Sequence, residues 1–315
     1  EYREHRMRRF KNILFFADGD AADGVAMRRA IALAERNQAR LTVVDVIEPV
    51  ETPKKVSTHL GGELTDLLRE RRLQMLDALV EPFKQADTLI YTEVFSGIPF
   101  VEVIRAVRRS RYDLVMKAAR PPIGVSERLF GSTDMHLLRK CPCPVWIDQP
   151  GATESYRTVL AAVDPTTGPG AGCDPLVMDL AGALARQEGA TLAVVHAWRL
   201  EGESVLRHGR FRMPDGELDD LMRGTEARRR ERLDELLRSC ARDGVAPEVH
   251  LVRGAAAAVI RQTAETLPAD VVVMGTAGRT GIPGFFIGNT AEEVLQTARA
   301  SILAVKPPGF VSPVG

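Results

Sequence analysis

"ALAERNQARLTVV", Ala32 to Val44, comes back as "ALARQEGATLAVV", Ala183 to Val195. Each copy carries apolar residues at helical spacing and then runs into a short β-branched stretch. The likeness spreads outward in both directions. Upstream, "NILFFAD" (Asn12 to Asp18) matches "TVLAAVD" (Thr158 to Asp164), each an apolar run ending in Asp. Downstream, Leu76 and Asp77 match Leu233 and Asp234, Gly97 matches Gly254, Asp113 matches Asp270 and Gly131 matches Gly288, all at a constant offset of 157. Spacing held over such a length marks a tandem duplication. The copies meet at "GATES", Gly151 to Ser155, so the expected domains are 1–152 and 153–315. Residues added to the second copy fall in "DPTTGPGAGCDP", Asp164 to Pro175, whose Gly and Pro content reads as a loop.

Within a copy, short runs of Val, Ile and Leu alternate with longer segments of helical spacing. In the second copy the strands are expected near 157–163, 191–198, 247–253, 270–275 and 301–306. Strands apolar on both faces, separated by helix-length segments, imply a parallel sheet covered on both sides. The expected fold class is α/β: two tandem doubly wound domains, each a five-stranded parallel sheet with helices on both faces. The segment from Glu217 to Arg242 sets leucines among many Arg and Glu residues, the pattern of a core stripe with a solvated back.

Composition limits the partners. The chain has 315 residues, 45% of them hydrophobic, and its 42 basic and 42 acidic side chains cancel. No global field favours nucleic acid or an anionic membrane. No apolar stretch approaches the ~20 residues of a membrane span, and the start "EYREHRMRRF" lacks the apolar middle of a secretory signal. A cytoplasmic location is the expectation. Cys141, Cys143, Cys173 and Cys240 are too scattered for a disulfide framework and are expected as reduced thiols. "HLLRKCPC" brings His136 near Cys141 and Cys143, but the spacing is not that of a four-ligand metal site, and no metal is expected.

The segment with most chemistry is "GTAGRTGIPGFFIGNT", Gly275 to Thr290, with five glycines in sixteen residues. It leaves the fourth strand of the second copy and delivers the chain to the last helix. In doubly wound sheets the ligand crevice lies beyond the carboxyl ends of the strands where the winding reverses, which here brings the first and fourth strands together. Asp164, at the end of the first strand, is a carboxylate suited to amino or hydroxyl groups of a base or ribose. Gly275, Gly278 and Gly288 let backbone N–H groups approach an anion, and the helix beginning near Asn289 adds unpaired N–H groups and a positive dipole end. Asn289 followed by Glu292 also reads as an ordinary N-cap pair. Gly168, Gly170 and Gly172 give G-x-G-x-G and not the dinucleotide G-x-G-x-x-G, and no G-x-x-x-x-G-K-[ST] segment exists. His196 reads as a packed polar residue.

"GTAGRTGIPGFFIGNTAEEVL" resembles the G-x-x-G-x9-G-[ST] signature of the universal stress proteins, with Gly275, Gly278 and Gly288 at the family spacing. The resemblance runs through both copies, and with "DMHLLRKCPCPVW" closing the first it is most similar to the tandem E-type members. It implies a Rossmann-like domain that binds ATP or a related adenine nucleotide, with or without magnesium. Carried over by position, Asp164 and Ala197 meet the base and ribose side, while Met274, Gly275, Gly278, Gly288, Asn289 and Thr290 line the phosphates. Arg279 is the loop's obvious cation. Asn289 stands where nucleotide-binding members have Ser or Thr, and an amide still donates to phosphate.

The first copy departs further. Ala118 stands in place of Gly275 and Pro121 in place of Gly278, and only Gly131-Ser132 keeps the pattern, although Asp18 persists. Pro121 and Pro122 remove two backbone donors, so this copy is expected not to bind ATP in the same way. Family members pair domains through their final strands, which implies that "PVWI" (Pro144 to Ile147) and "SILAV" (Ser301 to Val305) make an intramolecular pseudo-dimer, with a homodimer open. Nothing resembles a dedicated catalytic base, so a nucleotide-binding stress regulator leads. A slow ATPase or phosphotransferase and a nucleotide-independent interaction module are the alternatives.

Overall fold

The computed structural model describes residues 10–18, 24–48, 54–84, 89–120, 130–149, 152–165, 172–209, 213–240, 246–276 and 287–315, with the side chains of 54–63 left out. Within these residues the chain divides into two compact units. One runs to Glu154 and takes in Ser301–Gly315; the other begins at Ser155 and takes in Ile287–Ala300.

In the first unit the parallel strands are β1 (Asn12–Phe16), β2 (Arg40–Ile47), β3 (Ile90–Ser96), β4 (Leu114–Ala118) and β5 (Val145–Asp148), in the order β3-β2-β1-β4-β5. Between them lie α1 (Gly24–Asn37), α2 (Lys54–Val80), α3 (Pro99–Ser110) and α4 (Ser132–Lys140). In the second unit β6 (Thr158–Ala162), β7 (Thr191–Trp198), β8 (Glu248–Arg253) and β9 (Val271–Gly275) are ordered β9-β6-β7-β8. Its helices are α5 (Asp174–Glu188), α6 (Glu203–His208), α7 (Asp215–Cys240), α8 (Ala256–Thr266) and α9 (Asn289–Thr297). Every strand expected in the second copy is present. The last, β10 (Ser301–Val305), belongs to the first unit, where it runs antiparallel to β5 with Leu303 opposite Trp146 and Ile302 opposite Ile147. "PVWI" and "SILAV" therefore do pair within one chain.

The strands are apolar because both faces are covered. Val159, Leu160 and Ala161 of β6, and Val271 and Val273 of β9, have no exposed surface at all. The winding of the second unit explains how. From β6 the chain moves outward through α5 and α7 to β8, then returns past β6 through α8 to β9. Right-handed crossovers running in opposite directions put their helices on opposite faces. Accordingly α5 packs against α7, and α8 against α9. Helix α7 buries Leu218, Thr225 and Leu233 and exposes most of its charged residues, as its leucine stripe requires.

The matched aspartates have the same structural task in both copies. Asp270 Oδ2 accepts the N–H groups of Arg157 and Thr158, at 2.7 and 2.9 Å, and so ties the start of β9 to the start of β6. Asp113 does this for β4 and β1, accepting from the N–H groups of Lys11 and Asn12 at 2.6 and 3.1 Å. Each aspartate thus supplies an acceptor to backbone donors at the head of a strand, before its ladder begins.

Candidate functional site

Three parallel strands of the second unit bring the candidate residues to one rim. β6 lies between β9 and β7, with Ala162 opposite Met274 on one side and Val195 on the other. Asp164 follows β6 by two residues, Ala197 is the penultimate residue of β7, and Met274 and Gly275 end β9. This is the reversal point of the winding, and the parallel register carries all four positions to the carboxyl ends of the strands. Gly278 and Arg279 lie outside the described residues.

The approach to Asp164 is fixed by backbone. Its N–H donates to Asp174 Oδ1 at 3.0 Å, so the first residue of α5 holds the turn that carries it. His196 is 1% exposed, and its Nδ1–H donates to the carbonyl of Val163 at 3.1 Å. A buried ring tied to the residue before Asp164 braces the turn after β6, in keeping with the packed role its position implied. Ala197 beside it is half-buried.

Gly275 has a steric reason to be glycine. A Cβ there would stand 3.0 Å from Cys173 Cβ and 3.2 Å from its Sγ, closer than packed side chains ordinarily approach. The N–H of Gly288 donates to Thr276 O at 2.9 Å, which joins the exit of β9 to the entrance of α9. Gly288, and not Asn289, is the N-cap residue of α9. It makes no side-chain cap, so Asn289 is already helical and does not form the Asn289–Glu292 capping pair. The first intrahelical bond is from Glu292 N–H to Gly288 O. Among the described residues the N–H groups of Asn289, Thr290 and Ala291 meet no acceptor, as the first turn of a helix dictates. Asn289 and Thr290 are exposed. What this rim offers is a set of amide donors at the positive end of the helix that follows β9, and a carboxylate-bearing turn after the neighbouring strand β6.

The first unit builds the corresponding place from different residues. Lys117 stands where Met274 does and Asp134 where Ala291 does. The Lys117 ammonium, 1% exposed, lies 2.9 Å from Asp18 Oδ2 and also contacts Asp134 Oδ1. Asp134 Oδ2 accepts the N–H of Gly131 at 3.0 Å and that of Arg120 at 3.2 Å. Arg120 Nη1 in turn donates to the carbonyl of Asp18 at 3.0 Å. The N-cap amide, the carboxylate at the end of β1 and the end of β4 are thereby joined to one another by internal charges. Sequence reading did not identify this network. Its signal was a lysine inside the apolar strand "LVMKA" and an aspartate at the third position of α4.

The His136 imidazole stacks on Phe100 with ring centroids 4.2 Å apart, the sulfurs of Cys141 and Cys143 are 3.6 Å apart, and none of the four cysteines is in a disulfide. Among the described residues no group of three or more His, Cys, Asp or Glu side chains is arranged to hold a metal, and no helix is long and apolar enough to cross a membrane.

The model of the universal stress protein family matches residues 9–148 and again 155–306. The chain is similar to universal stress protein E of Escherichia coli K12, 28% identical over 322 residues and covering 98% of each chain. A functionally unknown protein from Pseudomonas aeruginosa PAO1, known from its crystal structure, superposes with a TM-score of 0.69 at 26% identity, covering 96% of this chain and 95% of its own. A universal stress protein from Archaeoglobus fulgidus shares the fold at 19% identity, with a TM-score of 0.60 and coverage of 93% and 98%. The chain belongs to the universal stress protein family and carries two of its domains in tandem.

Proposed function

We propose that this stress protein acts as a regulator that binds ATP, or a related adenine nucleotide, in its second half. The observation that carries the reading is the adjacency of β6 and β9. With Asp164 two residues beyond β6, Gly275 ending the neighbouring β9, and Gly288 leading into the first-turn amides of α9, this adjacency supports a phosphate-and-base crevice. Asp164 and Ala197 take the base and ribose side. Met274, Gly275, Gly278, Gly288, Asn289 and Thr290 take the phosphates, and Arg279 supplies a cation.

The fit to phosphate is chemical: amide donors and a helix dipole complement an anion, and Gly275 presents backbone with no Cβ in the way. One donor is already committed, since Gly288 N–H goes to Thr276 O, so the phosphate falls to the amides after it. The first half does not take nucleotide in this way, because Lys117 and Arg120 hold Asp18 and Asp134 in its crevice. Hydrolysis of a phosphoanhydride needs a positioned water and charge stabilisation.

Calorimetric titration of the full chain with ATP and magnesium, followed by phosphate release over hours, tests the reading. Saturable binding with no release, lost in Gly278→Val, is the expected result. Release abolished by the same substitution makes the protein a slow ATPase or phosphotransferase. Absence of binding overturns the proposal and leaves an interaction module.

A further inference from the structure

We propose that the second half carries another anion site, apart from the glycine loop: a cavity of about 420 Å³ walled by Arg199, Arg228, Arg229 and Arg232, which takes a small soluble polyphosphate. Arg199 is the first residue beyond β7. Thr225, Arg228, Arg229 and Arg232 recur along α7 at intervals of three and four and so share one face of that helix. Leu200 and Glu201 complete the wall.

Charge in this cavity is unbalanced. Among the described residues that line it, Arg199, Arg228 and Arg229 stand beside a single carboxylate, that of Glu201, while Arg232 has a partner of its own. Among the described residues Arg199, Arg228 and Arg229 form no ion pair, and the side-chain bond of Arg228 goes to a hydroxyl, Thr225 Oγ1, at 3.1 Å. Like charges gathered at one place repel one another, and an anion from outside that sits among them relieves the repulsion.

The duplication supplies an internal control. β2 and α2 correspond to β7 and α7, so that Asp45, Glu48, Arg71, Arg72 and Met75 occupy the places of His196, Arg199, Arg228, Arg229 and Arg232. In the first half Arg72 Nε lies 3.1 Å from the buried Asp45 Oδ2. There two acidic positions accompany two arginines. In the second half both acidic positions are gone, one has become Arg199, and Arg232 has been added. The helix scaffold is the same, and the buried carboxylate that pairs with Arg72 is replaced by His196.

Arginine presents planar, paired N–H donors that match phosphate oxygens. Several arginines around a space of this size suit a compact anion of high charge, such as a diphosphate or triphosphate, and exclude a nucleic-acid duplex. The inference does not rest on nucleotide binding at the glycine loop.

Inorganic pyrophosphate and inorganic triphosphate are titrated calorimetrically into the full chain at fixed ionic strength. Three proteins are compared: wild type, Arg199→Glu/Arg229→Met, and Gly278→Val. Far-UV circular dichroism and melting confirm that each is folded, and Arg199→Glu alone, a change at an exposed position, replaces the double variant if that one melts early. Expected is saturable 1:1 binding to wild type, at least tenfold weaker in the arginine variant and unchanged in Gly278→Val. Binding lost in Gly278→Val but kept in the arginine variant overturns the site, as does absence of saturable binding. Tighter retention by phosphatidylglycerol vesicles than by pyrophosphate overturns the soluble ligand.

Discussion

Lys117 Nζ lies 2.9 Å from Asp18 Oδ2, at the position that Met274 holds in the second half. Its other contact, Asp134, is fully buried. Removing one member of a buried ion pair strands the remaining charges and costs about 3–5 kcal/mol, whereas replacing all members by apolar groups is often neutral. Lys117→Met alone is therefore expected to lower the stability of the first unit by about that amount. Lys117→Met/Asp134→Ala, the combination found in the second half, regains a large part of it. Urea unfolding followed at Trp146 separates the two results; a double variant no better than the single one contradicts the mechanism.

The aspartate that joins β9 to β6 gives a second expectation. Asp270→Ala leaves the N–H groups of Arg157 and Thr158 without their acceptor, at a cost of about 1–3 kcal/mol. Asp270→Asn keeps one carbonyl oxygen and is expected to cost less. Hydrogen exchange at these two amides reads the change directly, and protection equal to wild type in Asp270→Ala removes the role.

Gly275 and Cys173 are expected to be energetically coupled. A methyl group at 275 meets Cys173 Cβ at 3.0 Å and Sγ at 3.2 Å, so Gly275→Ala overpacks the site by about 1–3 kcal/mol. Cys173→Gly in the same chain removes both contacts. A double-mutant cycle by thermal unfolding then shows a favourable interaction between the two substitutions, and simple additivity counts against the steric account.

Glu203 gives a pH signature. Hydrogen bonds from Arg253 and then Arg207 hold its carboxyl below the ordinary glutamate range. A depressed folded value means that the stabilisation is fully present above the unfolded pKa and fades as the pH falls through the folded one. In Arg253→Ala the carboxyl is expected to titrate closer to its ordinary value, measured by carbon NMR of the labelled side chain; an unmoved titration refutes Arg253 as the main cause.

Much of the fold was legible because it rests on patterns that repeat. The apolar runs ending in Asp18 and Asp164, and the paired Asp113 and Asp270, set the register of two copies without any knowledge of contacts. The glycine segment announced the rim at β9, yet not how its ends meet: the bond from Gly288 to Thr276 depends on backbone closure, which residue types alone do not encode. Nor did the sequence disclose the Lys117 network, since an ion pair between strand and helix exists only once α4 is seated on β4. α6 escaped for a simpler reason, being six residues long with no buried side chain and therefore no apolar stripe to read.

The partner of β5 is synthesised only after the whole second half. Until Ser301–Val305 arrives, Val145, Trp146 and Ile147 form a bare apolar edge, open to any neighbouring strand. A chain halted before Ser301 is expected to associate with its own copies through that edge, as a mass that rises with concentration. For this protein the hazard of nascent aggregation is thus written into the order of its strands, and it lasts as long as the ribosome takes to finish the second copy.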